Sequence, residues 1–360
     1  MERLGLVGLP NSGKSSLFNA LTGGHSPVAS HAFSTTDTTV GVAPLPDHRL
    51  DALAEQSHSK KIVHAGVEVV DIAGLVAGSA TGEGMGNRFL AGIREVDALL
   101  LVLRSFVDDE VPGESDPLGA LETLELELVM ADAASLENQA DKRRKQARLK
   151  SDKNLGAEAD AIDAAMAHLQ AGVPIYRAGL APLQRELLAG CFLLTDKPVL
   201  AVVNLGEDQV ERSDSIIAPV AESLGGAGQV LGVCVQLEAE AAQLPGDQRD
   251  ELLEGLGLGQ GVLPRLARAA FELLGLRTFL TTGDKESRAW IFRAGAKAPE
   301  CAGVIHSDLQ RGFIRAEVIH WDELLAIGGW PKAKSAGKLR VEGKDYEVLD
   351  GDVLEIRFNV

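Results

Sequence analysis

Cysteine, basic residues and long apolar runs are all scarce in this chain. Its three cysteines, Cys191, Cys234 and Cys301, stand far apart in 360 residues, each inside an apolar segment. That spacing favours buried free thiols over a metal site. No stretch reaches the roughly twenty apolar residues of a membrane span, so no membrane partner is expected. Met1 leads straight into an apolar segment without a basic leader or a cleavage site, and a cytoplasmic location is expected. Against 52 Asp and Glu there are only 35 Lys and Arg, a net charge of -17. A surface of that sign argues against coating nucleic acid over its whole extent. One basic run stands out: Lys142, Arg143, Arg144, Lys145, Arg148, Lys150 and Lys153. It reads either as a solvated helix face or as a contact for RNA phosphate.

What the chain does have begins at Gly8-Leu9-Pro10-Asn11-Ser12-Gly13-Lys14-Ser15. The apolar run Leu4-Gly5-Leu6-Val7 before it reads as a buried strand. Ser16 to Leu21 after it reads as a helix whose Leu17, Phe18 and Leu21 share a face. A glycine loop between strand and helix turns successive backbone N–H groups toward the positive end of the helix dipole. That arrangement suits a polyphosphate, with Lys14 reaching the β- and γ-phosphates and the Ser15 hydroxyl ligating Mg²⁺. Asn11, Ser12, Gly13, Lys14, Ser15 and Ser16 are therefore candidate nucleotide ligands.

The polar stretch from Thr22 to Thr39 reads equally as a surface loop and as a switch in which Thr35 closes on Mg²⁺ and the γ-phosphate. Val67 to Gly74 reads as a strand ending in Asp-x-x-Gly. Asp71 there can hold Mg²⁺ through water, and the Gly74 N–H can turn to the γ-phosphate. From Leu118 to about Leu194, apolar residues recur at helical spacing, which predicts two long helices folded into a hairpin with a joint near Lys153 to Gly156. Strands return at Pro198 to Val203, ending at Asn204-Leu205-Gly206-Glu207, and at Gln229 to Val235. Strands alternating with helices predict a doubly wound, mostly parallel sheet with its ligand at the strand C-terminal ends. Short strand-like segments between Arg277 and Phe358 predict a small α+β domain, separable from a fragment that still binds nucleotide. His306 and His320 in it read as structural or surface residues.

With these segments placed, the chain resembles the YchF subfamily of Obg-related P-loop proteins. The matching residues are Gly8 to Ser16, Val42 to Leu53, Asp71 to Glu95, Asn204 to Glu207 and Cys234 to Glu238. In the C-terminal stretch, Ala302 to Ala316 and Glu342 to Val360 resemble that family's TGS domain. The resemblance implies a P-loop G domain over 1–117 and 196–274, a helical arm over 118–195 and a TGS domain over 275–360. It also implies a translation-factor-class nucleotidase that prefers ATP and is linked to the ribosome or RNA. A monomer is expected.

GTPases of this class read guanine with Asn-Lys-x-Asp, whereas this chain has Asn204-Leu205-Gly206-Glu207. The Lys is absent and the acid is longer, so the guanine-reading logic is lost. Asn204 keeps both amide groups for a purine edge. With Leu205 and Glu207 it forms the candidate base site, and ATP is favoured over GTP. Asn11 resembles the residue that helps coordinate K⁺ in some relatives, which leaves K⁺ beside Mg²⁺ as an open expectation. Leu75 stands where many GTPases carry a water-orienting Gln, and Leu101 where family members tend to carry a His proposed for hydrolysis. Catalysis then falls to Lys14, Thr35, Gly74 and Mg²⁺. Two functions follow: a slow ATP-driven switch, or a nucleotide-dependent adaptor with negligible turnover. A metabolic kinase fits less well, because no acceptor pocket or base is evident.

Overall fold

Arg3–Gly8 forms the first strand, β1, buried from Leu4 onward in a computed structural model of the chain. The structure describes every residue except 1, 24–38, 73–84, 109, 151–152, 227, 257, 259–260 and 360. The chain continues through α1 (Lys14–Thr22), β2 (Thr39–Leu45), α2 (His48–Gln56), β3 (Ile62–Val63) and β4 (Ala65–Asp71). It goes on through α3 (Met85–Arg94), β5 (Ala98–Arg104), α4 (Pro117–Lys150), α5 (Lys153–Gln170), β6 (Val199–Asn204) and β7 (Gly228–Val233). The strand order is β2-β4-β1-β5-β6-β7, and the pairs from β4 through β7 are parallel. The central strands β5 and β6 are buried at every residue, which accounts for their unbroken apolar sequences. Strand order reverses between β1 and β5, and that reversal opens a crevice at their C-terminal ends.

The described residues form two units. The first comprises residues 1–43 and 68–270, and holds the parallel sheet and the helical hairpin. At the foot of the hairpin, Leu121, Leu124 and Leu128 join the core formed by Val7, Leu99, Leu101 and Val203. Further out, Val129 and Leu136 pack with Ala161, Ile162, Ala165 and Leu169. The joint expected near Lys153 to Gly156 differs in one respect: both residues lie within α5. Two buried carboxylates fix the foot. Asp132 accepts from the Leu194 and Thr195 backbone N–H groups and from Thr195 Oγ1, and Glu125 accepts from Tyr176 Oη in the middle of the Ile175–Arg177 turn.

The second unit comprises residues 44–67 and 271–360. Its strands β8 (Leu276–Thr281), β9 (Ser287–Arg293), β10 (Phe313–His320), β11 (Arg340–Glu342) and β12 (Asp352–Phe358) form a sheet with β3, in the order β11-β10-β12-β8-β9-β3. Phe279, Phe292, Phe313, Val318 and Leu354 pack under the helix Ala298–Ile305. The segment 44–67 is an integral part of this unit. Leu50 and Leu53 of α2 are fully buried, Ile62 of β3 pairs with Ser287, and Gln56 Nε2 donates to the Leu325 carbonyl at 2.9 Å. Asp47 caps α2, accepting from Arg49 N at 3.0 Å, while the Arg49 guanidinium bonds Asp47, Asp350 and Thr278 Oγ1.

All three cysteines are free and buried. His306 accepts from Asp308 N, and His320 contacts Asp322, as expected of structural histidines. Among the described residues, no helix is long and apolar enough to cross a membrane.

Candidate nucleotide site

The loop between β1 and α1 takes its shape from two left-handed residues, Asn11 at φ 62° and Gly13 at φ 86°. Asparagine tolerates that region better than most side chains, and glycine enters it freely. Gly13 has a second constraint, since a Cβ there would lie 2.1 Å from Asn204 Nδ2. Leu17, Phe18 and Leu21 are buried, which anchors α1 behind the loop as its periodicity predicts.

Three chemically active side chains meet at the start of α1. Lys14 Nζ pairs with Asp71 Oδ1, and Ser15 Oγ donates to Asp71 Oδ2 at 2.8 Å. Lys14 and Asp71 are both largely shielded from solvent, at 10% and 15% side-chain exposure, so their attraction is only weakly screened. Asp71 sits at the last residue of β4, in register with Leu6 of β1, and parallel pairing thus brings the two motifs together across 56 residues of sequence. Ser16 and Asn11 are exposed; Ser12 is buried, and its hydroxyl oxygen has no hydrogen-bond partner among the described residues. Thr35, Gly74 and Leu75 lie outside the described residues.

On the base side, Asn204, Leu205 and Glu207 take three different environments. Asn204 Nδ2 donates to the Ser12 carbonyl at 3.0 Å, and its Oδ1 accepts from Val235 N at 3.3 Å. Both ends of the amide are thus already engaged in bracing the loops, though each keeps a second hydrogen-bonding position. Leu205 is buried in the core with Val203, Val220 and Leu224. Glu207 is exposed on the first turn of the 3-10 segment Glu207–Arg212. Leu101 is likewise core, in register between Val7 and Ala201.

One residue escaped the sequence reading altogether. Arg104 ends β5 at the crevice, is 4% exposed and binds the carbonyls of Phe106, Val111 and Pro112. The available signal was a single cation closing the apolar run from Ala98 to Leu103.

Comparison with known proteins gives the family of the chain. A family model described as 50S ribosome-binding GTPase matches residues 3–128, and the C-terminal model of YchF GTPases, described as a protein of unknown function, matches residues 276–359. A Bacillus subtilis protein named ribosome-binding ATPase YchF is 44% identical over 99% of both chains. This chain belongs to the YchF family. An Escherichia coli O157:H7 member of the family, with the same name, is 39% identical over 99% of both chains. The solved Schizosaccharomyces pombe YchF GTPase superposes with a TM-score of 0.87 at 30% identity, covering 99% of this chain and 97% of that one. Membership and the P-loop make the chain a nucleoside-triphosphatase of the YchF type, with the α/β fold and C-terminal α+β unit the sequence predicted.

Proposed function

We propose that the chain binds and slowly hydrolyses Mg·ATP in preference to GTP, as a cytoplasmic monomeric switch that contacts the ribosome. The observation that carries this reading is the convergence of Lys14, Ser15 and Asp71 at the mouth of a left-handed loop, beside the reversal of strand order. Lys14 is placed to exchange Asp71 for β- and γ-phosphate oxygens, and the loop N–H groups provide the remaining donors.

Ser15 and Asp71 fit a hard cation. Mg²⁺ is commonly held by one or two protein oxygens and completes its shell with phosphate and water. Ser15 would hold Mg²⁺ directly and Asp71 through water; when bound, the ion neutralises charge on the transferred phosphoryl group. Thr35 and Gly74 are proposed to close over the γ-phosphate, and Asn11 to serve a K⁺ ion.

The ATP preference rests on Leu205 and Glu207 standing where guanine readers carry Lys and Asp. The ribosome assignment draws on the names of the Bacillus and Escherichia relatives and on the exposed Lys142 and Lys145. Two other residues of the basic run, Arg143 and Arg144, pair with Glu158 and Asp163 of α5, so only part of the run is free for RNA.

The test is titration of ATP and GTP in Mg²⁺ with wild type and Lys14→Ala, together with phosphate release in K⁺ and in Na⁺. ATP is expected to bind at least as tightly as GTP. Lys14→Ala is expected to weaken ATP by roughly ten- to a hundredfold, the loss of a hydrogen bond to a charged group. Unchanged affinity in a folded Lys14→Ala protein overturns the site. A tenfold GTP preference overturns the ATP assignment, and binding without phosphate release makes the chain an adaptor.

A further inference from the structure

Arg104 is a buried cation without a carboxylate partner among the described residues, and it lies against the crevice. Its Nε donates to the Phe106 carbonyl at 3.1 Å, Nη2 to Val111 at 2.9 Å and Nη1 to Pro112 at 3.3 Å. The guanidinium carbon also stands 4.2 Å from the centroid of the Phe106 ring. Burying a charge is costly unless its donors are filled, and only a planar fork can fill three diverging carbonyls and stack on a ring at once. The loop is fitted closely to that fork: a Cβ on Gly113, at φ 141°, would come within 3.0 Å of Nη1.

The Pro112 carbonyl has a second donor, Asn11 Nδ2 at 2.9 Å. One carbonyl oxygen therefore joins the arginine to the left-handed residue of the phosphate loop. The same segment is fixed on its other side to the base loop. Ser105 N donates to the Asn204 carbonyl at 2.9 Å, and Gln209 Nε2 donates to the Ser105 carbonyl at 3.0 Å.

We infer that Arg104 is a positioning residue for the nucleotide site, holding Pro112 so that its carbonyl fixes Asn11 and hence the phosphate-binding curve of the loop. The inference rests on the nucleotide-binding reading above and adds to it a residue that touches no phosphate. The tether holds the left-handed asparagine from outside the loop. Lysine at 104 keeps the charge but cannot span the three carbonyls.

The experiment is a double-mutant cycle on Mg·ATP affinity in the full chain, using Arg104→Lys, Asn11→Gly and the pair. Glycine is chosen at 11 because it removes the tether without opposing the left-handed backbone. Thermal melts of all four proteins separate folding from binding. Each single variant is expected to weaken ATP about tenfold, and the pair no more than either alone, since both cut one connection. A purely structural Arg104 gives a lower melting temperature with ATP affinity unchanged, or effects that multiply to about a hundredfold in the pair; either result overturns the inference. If Arg104→Lys does not fold, wild-type affinity in Asn11→Gly is enough to overturn it. A wild type that binds no ATP overturns the nucleotide reading itself, and this inference with it.

Discussion

Asn204 Nδ2 donates to the Ser12 carbonyl at 3.0 Å, and the same nitrogen occupies the space a Cβ on Gly13 would need, 2.1 Å from that position. The brace and the glycine are thus a single device: the amide reaches the phosphate loop only because residue 13 lacks a side chain. Val235 N holds the other end of the amide, so one side chain links the loop after β1 to those after β6 and β7.

Gly13→Ala is therefore expected to do more than strain one residue. The left-handed backbone at φ 86° costs an alanine about 1–2 kcal/mol, and Asn204 must also leave Ser12. ATP affinity should fall by more than tenfold while the sheet stays folded. Isothermal titration against a thermal melt checks this, and a variant with wild-type affinity would show that the brace does not shape the site.

Removal of residues 271–360 is expected to leave an aggregation-prone protein. The sequence alone suggested a clean separation near Gly275, yet α2 and β3 lose their partners in that truncation: β9 pairs with β3, and Leu50 and Leu53 are fully buried within the second unit. Size-exclusion chromatography with a dye for exposed apolar surface is the measurement. A monomeric, dye-free fragment 1–270 would contradict the packing described for 44–67.

The second unit should also carry a defined acid sensitivity. Burial pushes the Asp47 carboxyl up, but the hydrogen bonds and charge of Arg49 outweigh it and hold the group below its ordinary 3.8. A carboxyl lowered on folding contributes stability above its unfolded value, and that contribution is lost as pH falls through the lower native value. Asp47→Asn should flatten stability against pH below about 4. Arg49→Ala should cost about 3 kcal/mol, because it leaves Asp47, 4% exposed, without its cation. Urea midpoints across that pH range decide both. An unchanged acid limb in Asp47→Asn would assign the sensitivity elsewhere.

Much of this was legible from the sequence for specific physical reasons. The P-loop declares itself because its glycines and lysine occupy fixed spacings between a strand and a helix. The central strands are visible as apolar runs, and the hairpin as apolar residues at helical spacing. The role of Leu205 was not legible, because a motif position gives no information on which way a side chain points; here it points into the core with Val203. Neither was Arg104, whose partners are backbone carbonyls that carry no residue-type signal. The allegiance of 44–67 was hidden for a third reason. Its pairing with β9 spans more than two hundred residues, and nothing local in α2 distinguishes a helix of one unit from a helix of the other.

That last feature sets an order on how the protein is made. Ribosomes add roughly 5–20 residues per second, so α2 and β3 emerge at least ten seconds or so before the chain reaches Phe271. During that interval Leu50 and Leu53, fully buried at the end, have no partner surface to cover them. The first unit cannot simply finish and release the segment, since the chain leaves it within β2 and returns within β4. Synthesis therefore passes through a stage in which a folded sheet holds an apolar excursion in waiting, until the residues beyond Phe271 supply its cover.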